Sequence, residues 1–294
     1  MQNVGNAWQW FLKSLEASYP EQERHAIGRE VFRHFFGLGP AERVVGQNLP
    51  LSEAHEKTLE RVIEQLRQHV PLQHITGIAS FYGLDFMVNE SVLIPRPETE
   101  ELVQWTLQTI EEAFGSFSVA LNLLDVGTGS GCMAIALASG LPNAQIKACD
   151  ISASALGLAR GNAVKNQVEV SFFLCDILND TPEISGLDVV VSNPPYIREA
   201  EKKLMQPNVL NYEPASALFV SDEDPLIFYR SIARKAKKWL KPGGWLFFEI
   251  NENLGPETIQ CIEKEGFGDV ELKQDINGRP RMVRAVKGEV RGEK

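Results

Sequence analysis

The chain has 294 residues, 44% of them hydrophobic, which suits two globular domains with real cores better than one compact unit. Lys and Arg number 29 against 39 Asp and Glu, a net charge of −10. This balance disfavours a broad, sequence-independent grip on a phosphate backbone, which needs clustered cations, though a local basic groove remains compatible with it. Cys132, Cys149, Cys175 and Cys261 are scattered without CxxC spacing, so neither a zinc site nor a disulfide framework is expected. The start of the chain lacks the basic and apolar runs of a secretion signal, and no stretch reaches the ~18 apolar residues of a membrane span. A cytoplasmic, soluble protein without a membrane partner is the expectation.

Residues 1–76 read as an N-terminal bundle of helices. Leu12, Leu15, Val31, Phe32, Phe35 and Phe36 recur at helical spacings, as do Leu59, Val62, Ile63 and Leu66, while Pro20, Gly37 to Pro40 and Pro50 divide the run. Nothing in this stretch looks catalytic. Residues 77–95 change to a strand pattern, with Phe81, Tyr82, Leu84, Phe86 and Val88 apolar and Gly83 and Asn89 as turn formers. That predicts a β-hairpin joining two domains. Pro95 and Pro97 end it, and a helix follows over about 98–114.

Residues 96–294 form the second domain. Beyond Ala120 the spacing predicts strands near 120–126, 145–150, 169–174, 186–192, 244–250, 267–274 and 281–287. Helices are predicted near 130–140, 152–166, 225–240 and 254–265, and the tail Arg291 to Lys294 is expected to fray. Strands alternating with helices imply an α/β class: a doubly wound, mostly parallel seven-stranded sheet that binds ligands at its carboxyl ends.

The first predicted strand, Leu123-Leu124-Asp125-Val126, runs into Gly127-Thr128-Gly129-Ser130-Gly131. Three glycines permit positive φ and close approach of a ligand to the backbone, and the helix that follows aims free N–H groups at it. Asp150 ends the second strand, where a carboxylate accepts hydrogen bonds from ribose hydroxyls. Asp176 ends the third, placed for an adenine amine, with apolar Ile177 beside it to cover the ring. At this point a methyl-donor nucleoside, a dinucleotide and a purely structural turn all remain open.

The fourth strand runs into Asn193-Pro194-Pro195-Tyr196. A neutral amide or aromatic amine is a poor nucleophile because its nitrogen lone pair is delocalised. Two acceptors, the Asn193 side-chain oxygen and the Pro194 carbonyl, can draw both N–H bonds and aim that lone pair. Consecutive prolines stiffen the loop, and Tyr196 can pack over a planar acceptor. Alone the tetrapeptide is also a plausible rigid turn. In register with the glycine turn and two strand-end carboxylates it reads as a methyl-transfer site.

These residues resemble the HemK/PrmC-type protein-(glutamine-N5) methyltransferases. The likeness runs through Pro71 to Gly77, Phe81-Tyr82-Gly83, Leu93-Ile94-Pro95-Arg96-Pro97-Glu98-Thr99-Glu100, Asp125 to Gly131, Asn193 to Tyr196, Tyr212-Glu213-Pro214 and Asp275 to Arg281. Asn-Pro-Pro-Tyr also occurs in adenine-N6 DNA methyltransferases, but the segment from Ile94 to Glu100 is far more specific to the HemK type. The resemblance implies transfer of a methyl group from S-adenosyl-L-methionine to the Gly-Gly-Gln glutamine of class 1 peptide chain release factors. It implies a methyltransferase-type, Rossmann-like second domain. Gly127, Thr128, Gly129, Ser130, Gly131, Asp150, Asp176, Ile177 and Asn193 would contact the donor. Asn193, Pro194, Pro195 and Tyr196 would hold the glutamine, with Asn193, Pro194 and Tyr196 carrying the chemistry. No metal is called for, and the helical domain would recognise the protein substrate. His74, Ser80, Val220-Ser221 and Asn251 depart from the usual pattern.

Three other readings compete. An adenine-N6 enzyme on DNA or RNA would need a basic channel, for which Arg279, Arg281, Arg284, Lys287 and Arg291 are the only hint. A dehydrogenase leaves Asn193 to Tyr196 unexplained. A non-catalytic binding module has no physical need for Gly127, Gly129, Asp150 and Asn193 together.

Overall fold

The computed structural model describes residues 3–288; the tail from Arg291 to Lys294 lies outside the described residues. The chain divides into two compact units, one drawn from Met1–Gly77 with Gln206–Tyr212, the other from Ile78–Met205 with Glu213–Lys294. Residues 206–212, which sequence reading assigns to the second domain, thus group with the helical unit. Nothing in their pattern signals this.

The first unit consists of helices Val4–Ser14, Glu21–Phe36, Pro40–Val45, Glu53–Arg67, Leu72–Thr76 and Pro207–Tyr212. Their ends follow local chemistry. Asn3 Oδ1 accepts from the Asn6 N–H, Ser52 Oγ accepts from the His55 N–H, and Gly37 closes the second helix at φ +65°. Trp8, Phe11, Val31, Phe32, Leu59, Val62 and Leu66 form its core. The Phe32 ring stands edge-on to Trp8, centroids 5.2 Å apart. Gly28 lies against that indole; a Cβ there would come within 2.8 Å of it.

In the second unit, β1 (Ile78–Phe81) and β2 (Leu84–Met87) form an antiparallel hairpin. Its turn is Tyr82-Gly83, both at positive φ, as a two-residue turn between right-twisted strands requires. Asn89, expected as a second hairpin turn former, lies beyond β2 and instead accepts from the Ser91 N–H in a local turn.

The main sheet contains β3 (Asn122–Val126), β4 (Gln145–Asp150), β5 (Ser171–Leu174) and β6 (Leu187–Ser192). After two short strands, β7 (Ile197–Arg198) and β8 (Phe219–Val220), come β9 (Leu240–Glu249), β10 (Phe267–Gln274) and β11 (Pro280–Lys287). The sheet order is β10-β11-β9-β6-β3-β4-β5, with β11 antiparallel to both neighbours and the other pairings parallel. β7 and β8, which sequence patterning did not suggest, pair only with each other. The order reverses between β3 and β6, so the ligand crevice of a doubly wound sheet lies at the ends of those two strands.

Helices cover both faces, and the central strands read accordingly as near-continuous apolar runs. Successive residues face opposite ways: Leu123, Val189, Val191 and Phe247 join one core, while Leu124, Val190, Leu246 and Phe248 join the other. On the first face the helix Pro97–Phe114 packs Leu102, Trp105 and Ile110. Proline at its first position and Gly115 at φ +67° mark its limits. Among the described residues no helix is long and apolar enough to cross a membrane.

One strand residue breaks the apolar run. Asp125 is wholly buried, its Oδ2 accepting 2.7 Å from Thr128 Oγ1 in the glycine turn. Burial pushes its carboxyl up to about 7, against the opposing hydrogen bonds from Thr128 and the Ala134 amide. An Asp held above its unfolded value keeps a proton that the unfolded chain releases. Its contribution to stability is therefore greatest below pH 4 and declines as pH rises toward 7. Asp125→Asn removes that decline. The melting temperature of the variant relative to the parent, followed by differential scanning fluorimetry, should climb by roughly 5 °C between pH 5 and 7 and then level off. A difference independent of pH would refute the shift.

Candidate active site

Strand register assembles the site. Val126 of β3 pairs with Ser192 of β6, and Ser192 Oγ donates to the Val126 carbonyl at 2.6 Å. The next residues, Gly127 and Asn193, therefore leave the sheet side by side. A Cβ on Gly127 would stand 4.0 Å from the Asn193 carbonyl oxygen, and the backbone there takes φ +76°. On the other side Val126 pairs with Cys149, whose carbonyl accepts from the N–H groups of Gly127 and Thr128. Gly131, at φ +83°, forms the N-cap of the helix Cys132–Gly140.

A cavity of about 330 Å³ opens where these ends converge, within the range of small-molecule sites. Gly127, Gly129, Asp150, Asp176, Ile177, Asn193, Pro194 and Pro195, singled out from the sequence, all line it. Ser91 to Leu93 with Pro214, Ser216, Ala217 and Phe219 add to the lining, and Phe228 and Ile232 contribute apolar surface.

Four of the sequence candidates do not line the cavity. Thr128 and Ser130 are buried within the turn, where Thr128 serves Asp125. Gly131 acts through the helix start, and a Cβ there would meet Ile135 and Ala159 at 3.0 and 3.1 Å. Tyr196 points its hydroxyl inward to Glu249 Oε1 at 2.9 Å. Burial and the adjacent Glu249 drive that phenol well above its usual range, so it serves as a hydrogen-bond donor.

Asp150 and Asp176 are held by backbone and side-chain donors. The Gly129 N–H donates to Asp150 Oδ2 at 2.8 Å and the Ser152 N–H to Oδ1 at 2.9 Å. The carboxylate is fixed while lone pairs remain for a pair of hydroxyls. Asp176 accepts from Asn179 Nδ2 at 2.7 Å and from the Leu178 N–H at 2.9 Å. These hydrogen bonds, the Asn179 one foremost, hold its carboxyl below the usual carboxylate range. An open glycine backbone, two acceptor carboxylates and an apolar wall are the chemistry that a nucleoside-bearing sulfonium needs. The residues fit S-adenosylmethionine.

Two further interactions shape the site. Glu213, whose side chain is 1% exposed, accepts from the Ile94 N–H at 3.1 Å and from Arg96 Nη2 at 2.5 Å. Arg96 thereby ties the segment bearing Leu93 to the one bearing Pro214. Thr99, in the first turn of Pro97–Phe114, accepts from Asn193 Nδ2 at 3.1 Å and donates to Glu249 Oε2 at 2.6 Å. Glu249 is 1% exposed; burial raises its carboxyl, with Thr99, Tyr196 and Arg281 opposing the rise. Glu249 follows Phe247 by two residues on the same face of β9, toward this helix. A buried acid ending an apolar strand was the available signal. Asn251, where the resembled family usually has Gly, donates to the Tyr196 carbonyl at 3.0 Å and to Glu201 Oε2 at 3.0 Å.

The suspected basic channel is engaged internally. Arg279 and Arg281 pair with Glu252, Arg281 also with Asp275, Arg284 with Glu271, and Lys287 donates to the Leu240 carbonyl. Arg291 lies outside the described residues. Among the described residues no group of three or more His, Cys, Asp or Glu is placed to hold a metal ion.

Residues 105–211 match the family described as the methyltransferase small domain, and residues 6–77 match the PrmC N-terminal domain. A release factor glutamine methyltransferase from Flavobacterium psychrophilum is 43% identical over 93% of this chain and 95% of its own length. One of the same name from Bacteroides thetaiotaomicron is 41% identical over 94% and 97%. Among solved structures, a methyltransferase from Pyrococcus furiosus shares the fold, with TM-score 0.51 and 18% identity over 71% of this chain and 92% of that one. Near-complete coverage of both chains at this identity leaves one conclusion: the chain belongs to the release factor glutamine methyltransferase family and is an S-adenosylmethionine-dependent methyltransferase.

Proposed function

We propose that this protein methylates the side-chain amide nitrogen, N5, of the glutamine in the Gly-Gly-Gln motif of class 1 peptide chain release factors. The observation that carries this reading is the adjacency of Asn193 to Gly127 on one cavity wall, with Nδ2 of Asn193 bonded to Thr99. The relatives at 43% and 41% identity bear the name of that activity. The helical unit, whose residues 6–77 match the PrmC N-terminal domain, is assigned to recognition of the protein substrate. Acidic net charge is compatible with binding a folded partner through small complementary patches.

S-adenosylmethionine supplies an already electrophilic methyl group. The chain's own residues then have three tasks. Asp150 binds the ribose hydroxyls, Asp176 and Ile177 bind the base, and the backbone of Gly127 and Gly129 admits the amino-acid end. Asn193 Oδ1 and the Pro194 carbonyl accept the two hydrogens of the substrate carboxamide, favouring a pyramidal nitrogen whose lone pair faces the donor. Pro194 and Pro195 keep both acceptors from wandering, so alignment precedes reaction. Charge growing on nitrogen is stabilised by those oxygens in a water-poor cleft. Once alkylated, the nitrogen readily loses a proton. Tyr196 anchors the end of the loop through its hydroxyl on Glu249.

The decisive assay supplies labelled S-adenosylmethionine and, in parallel, a release factor, the same factor with its motif Gln→Ala, and DNA. Label should enter the intact factor alone; label in DNA but not in the factor would replace this reading with the adenine-N6 one. Asn193→Ala should lower kcat by roughly 100-fold or more while donor binding by calorimetry persists, somewhat weakened. Normal turnover would remove Asn193 from the acceptor role. Asp150→Ala should weaken donor affinity by roughly 10- to 100-fold, the loss of charge-assisted hydrogen bonds. An unchanged donor Kd would take Asp150 out of the ribose site.

A further inference from the structure

We propose that Glu249 is a positioning residue that works through Thr99, deciding which end of the Asn193 carboxamide faces the cavity. The inference rests on the assignment of Asn193 as an acceptor for the substrate amide.

Counting hydrogens along the chain of contacts gives the argument. Both Glu249 oxygens face hydroxyl groups and act as acceptors: Oε2 receives the hydrogen of Thr99 Oγ1 at 2.6 Å and Oε1 that of Tyr196 Oη at 2.9 Å. Thr99 has a single hydroxyl hydrogen, and it points at Glu249. Thr99 therefore meets Asn193 with lone pairs only, so the group facing it at 3.1 Å must be the donor Nδ2. The other end of the planar carboxamide, Oδ1, is then the acceptor left for the cavity that Asn193 lines. Reversing the amide would set Oδ1 against the Thr99 lone pairs and present N–H groups to an incoming NH2. Both contacts of the reversed form are repulsive.

The same carboxylate holds both ends of the Asn193-to-Tyr196 loop. Oε2 acts on its first residue through Thr99, and Oε1 grips its last directly. Neither Thr99 nor Glu249 lines the cavity, so neither touches substrate; they act by setting the loop. A buried carboxyl with no outlet to water is well suited to this, because its demand for hydrogens is met by these two hydroxyls.

Two measurements on the full-length protein test the proposal. The first compares Thr99→Val, which keeps the shape but removes the hydroxyl, with Thr99→Ser. With release factor as substrate, Thr99→Val should lower kcat at least 10-fold, Thr99→Ser should restore most of that rate, and affinity for S-adenosylhomocysteine should stay within about threefold. In an Asn193→Ala background, adding Thr99→Val should change the residual rate less than twofold, since no amide remains to be oriented. A purely structural role would lower the rate by the same factor in both backgrounds, and that result overturns the proposal. So does a Thr99→Val enzyme with the parent's kcat. If the parent itself leaves the release factor unlabelled, the substrate assignment fails instead. The second measurement then still decides: the Asn193 side-chain NH2 resonances, identified by their loss in Asn193→Ala, should exchange slowly with water in the parent and in Thr99→Ser but rapidly in Thr99→Val. Equal exchange in all three would refute the orienting role.

Discussion

The pairing of Val126 with Ser192 is the constraint on which the rest of the site depends. Parallel strands at the point where sheet order reverses diverge beyond their carboxyl ends and leave a crevice. Because these two strands end in register, the glycine turn and the Asn193 loop leave the sheet at the same height. Shifting either strand by one residue would turn every side chain to the opposite face, exchanging Leu123 for Leu124 and Val189 for Val190 between the two cores. The register of the site is thus protected by the packing of both faces.

Around that fixed point the polar groups are arranged with little freedom. Asp150 is pinned by two backbone amides, Asp176 by an amide and Asn179, and Glu213 by Ile94 and Arg96. These carboxylates lie at strand ends or in the segments of the rim, so the regular sheet carries them to the cavity without bending. Preorganisation of this kind suits a reaction whose donor is already activated and in which alignment is the main task.

Much of this was legible in the sequence because its signals are local. Apolar runs ended by Gly127, Asp150, Asp176 and Asn193 identify both the strands and the end of the sheet that binds ligand. Glycine spacing and the Asn-Pro-Pro-Tyr loop report backbone conformation directly. What could not be read depends on contacts between distant residues. Thr99 and Glu249 are 150 positions apart, and only Glu249, an acid closing an apolar strand, stands out from its immediate neighbours. Thr128 and Ser130 looked like ligand contacts because they lie between glycines, yet their side chains fold back beneath the turn. The hydroxyl of Tyr196 is held by the buried Glu249, a partner 53 positions away that the tetrapeptide itself does not signal. Residues 206–212 carry no composition signal, so their grouping with the helical unit emerges only in three dimensions.

The separation between Thr99 and Glu249 has a consequence for biosynthesis. The cavity draws its walls from Ser91 through Ile232, and the buried acid that supports the Asn193 loop from within arrives with β9. A chain still emerging from the ribosome can complete the glycine turn and β4 early, but it lacks the buried acid until β9 has been translated. Closing so long a loop is slow and has little local reward before β9 docks. Truncated chains lacking β9 would therefore carry the signature motifs without this inner support.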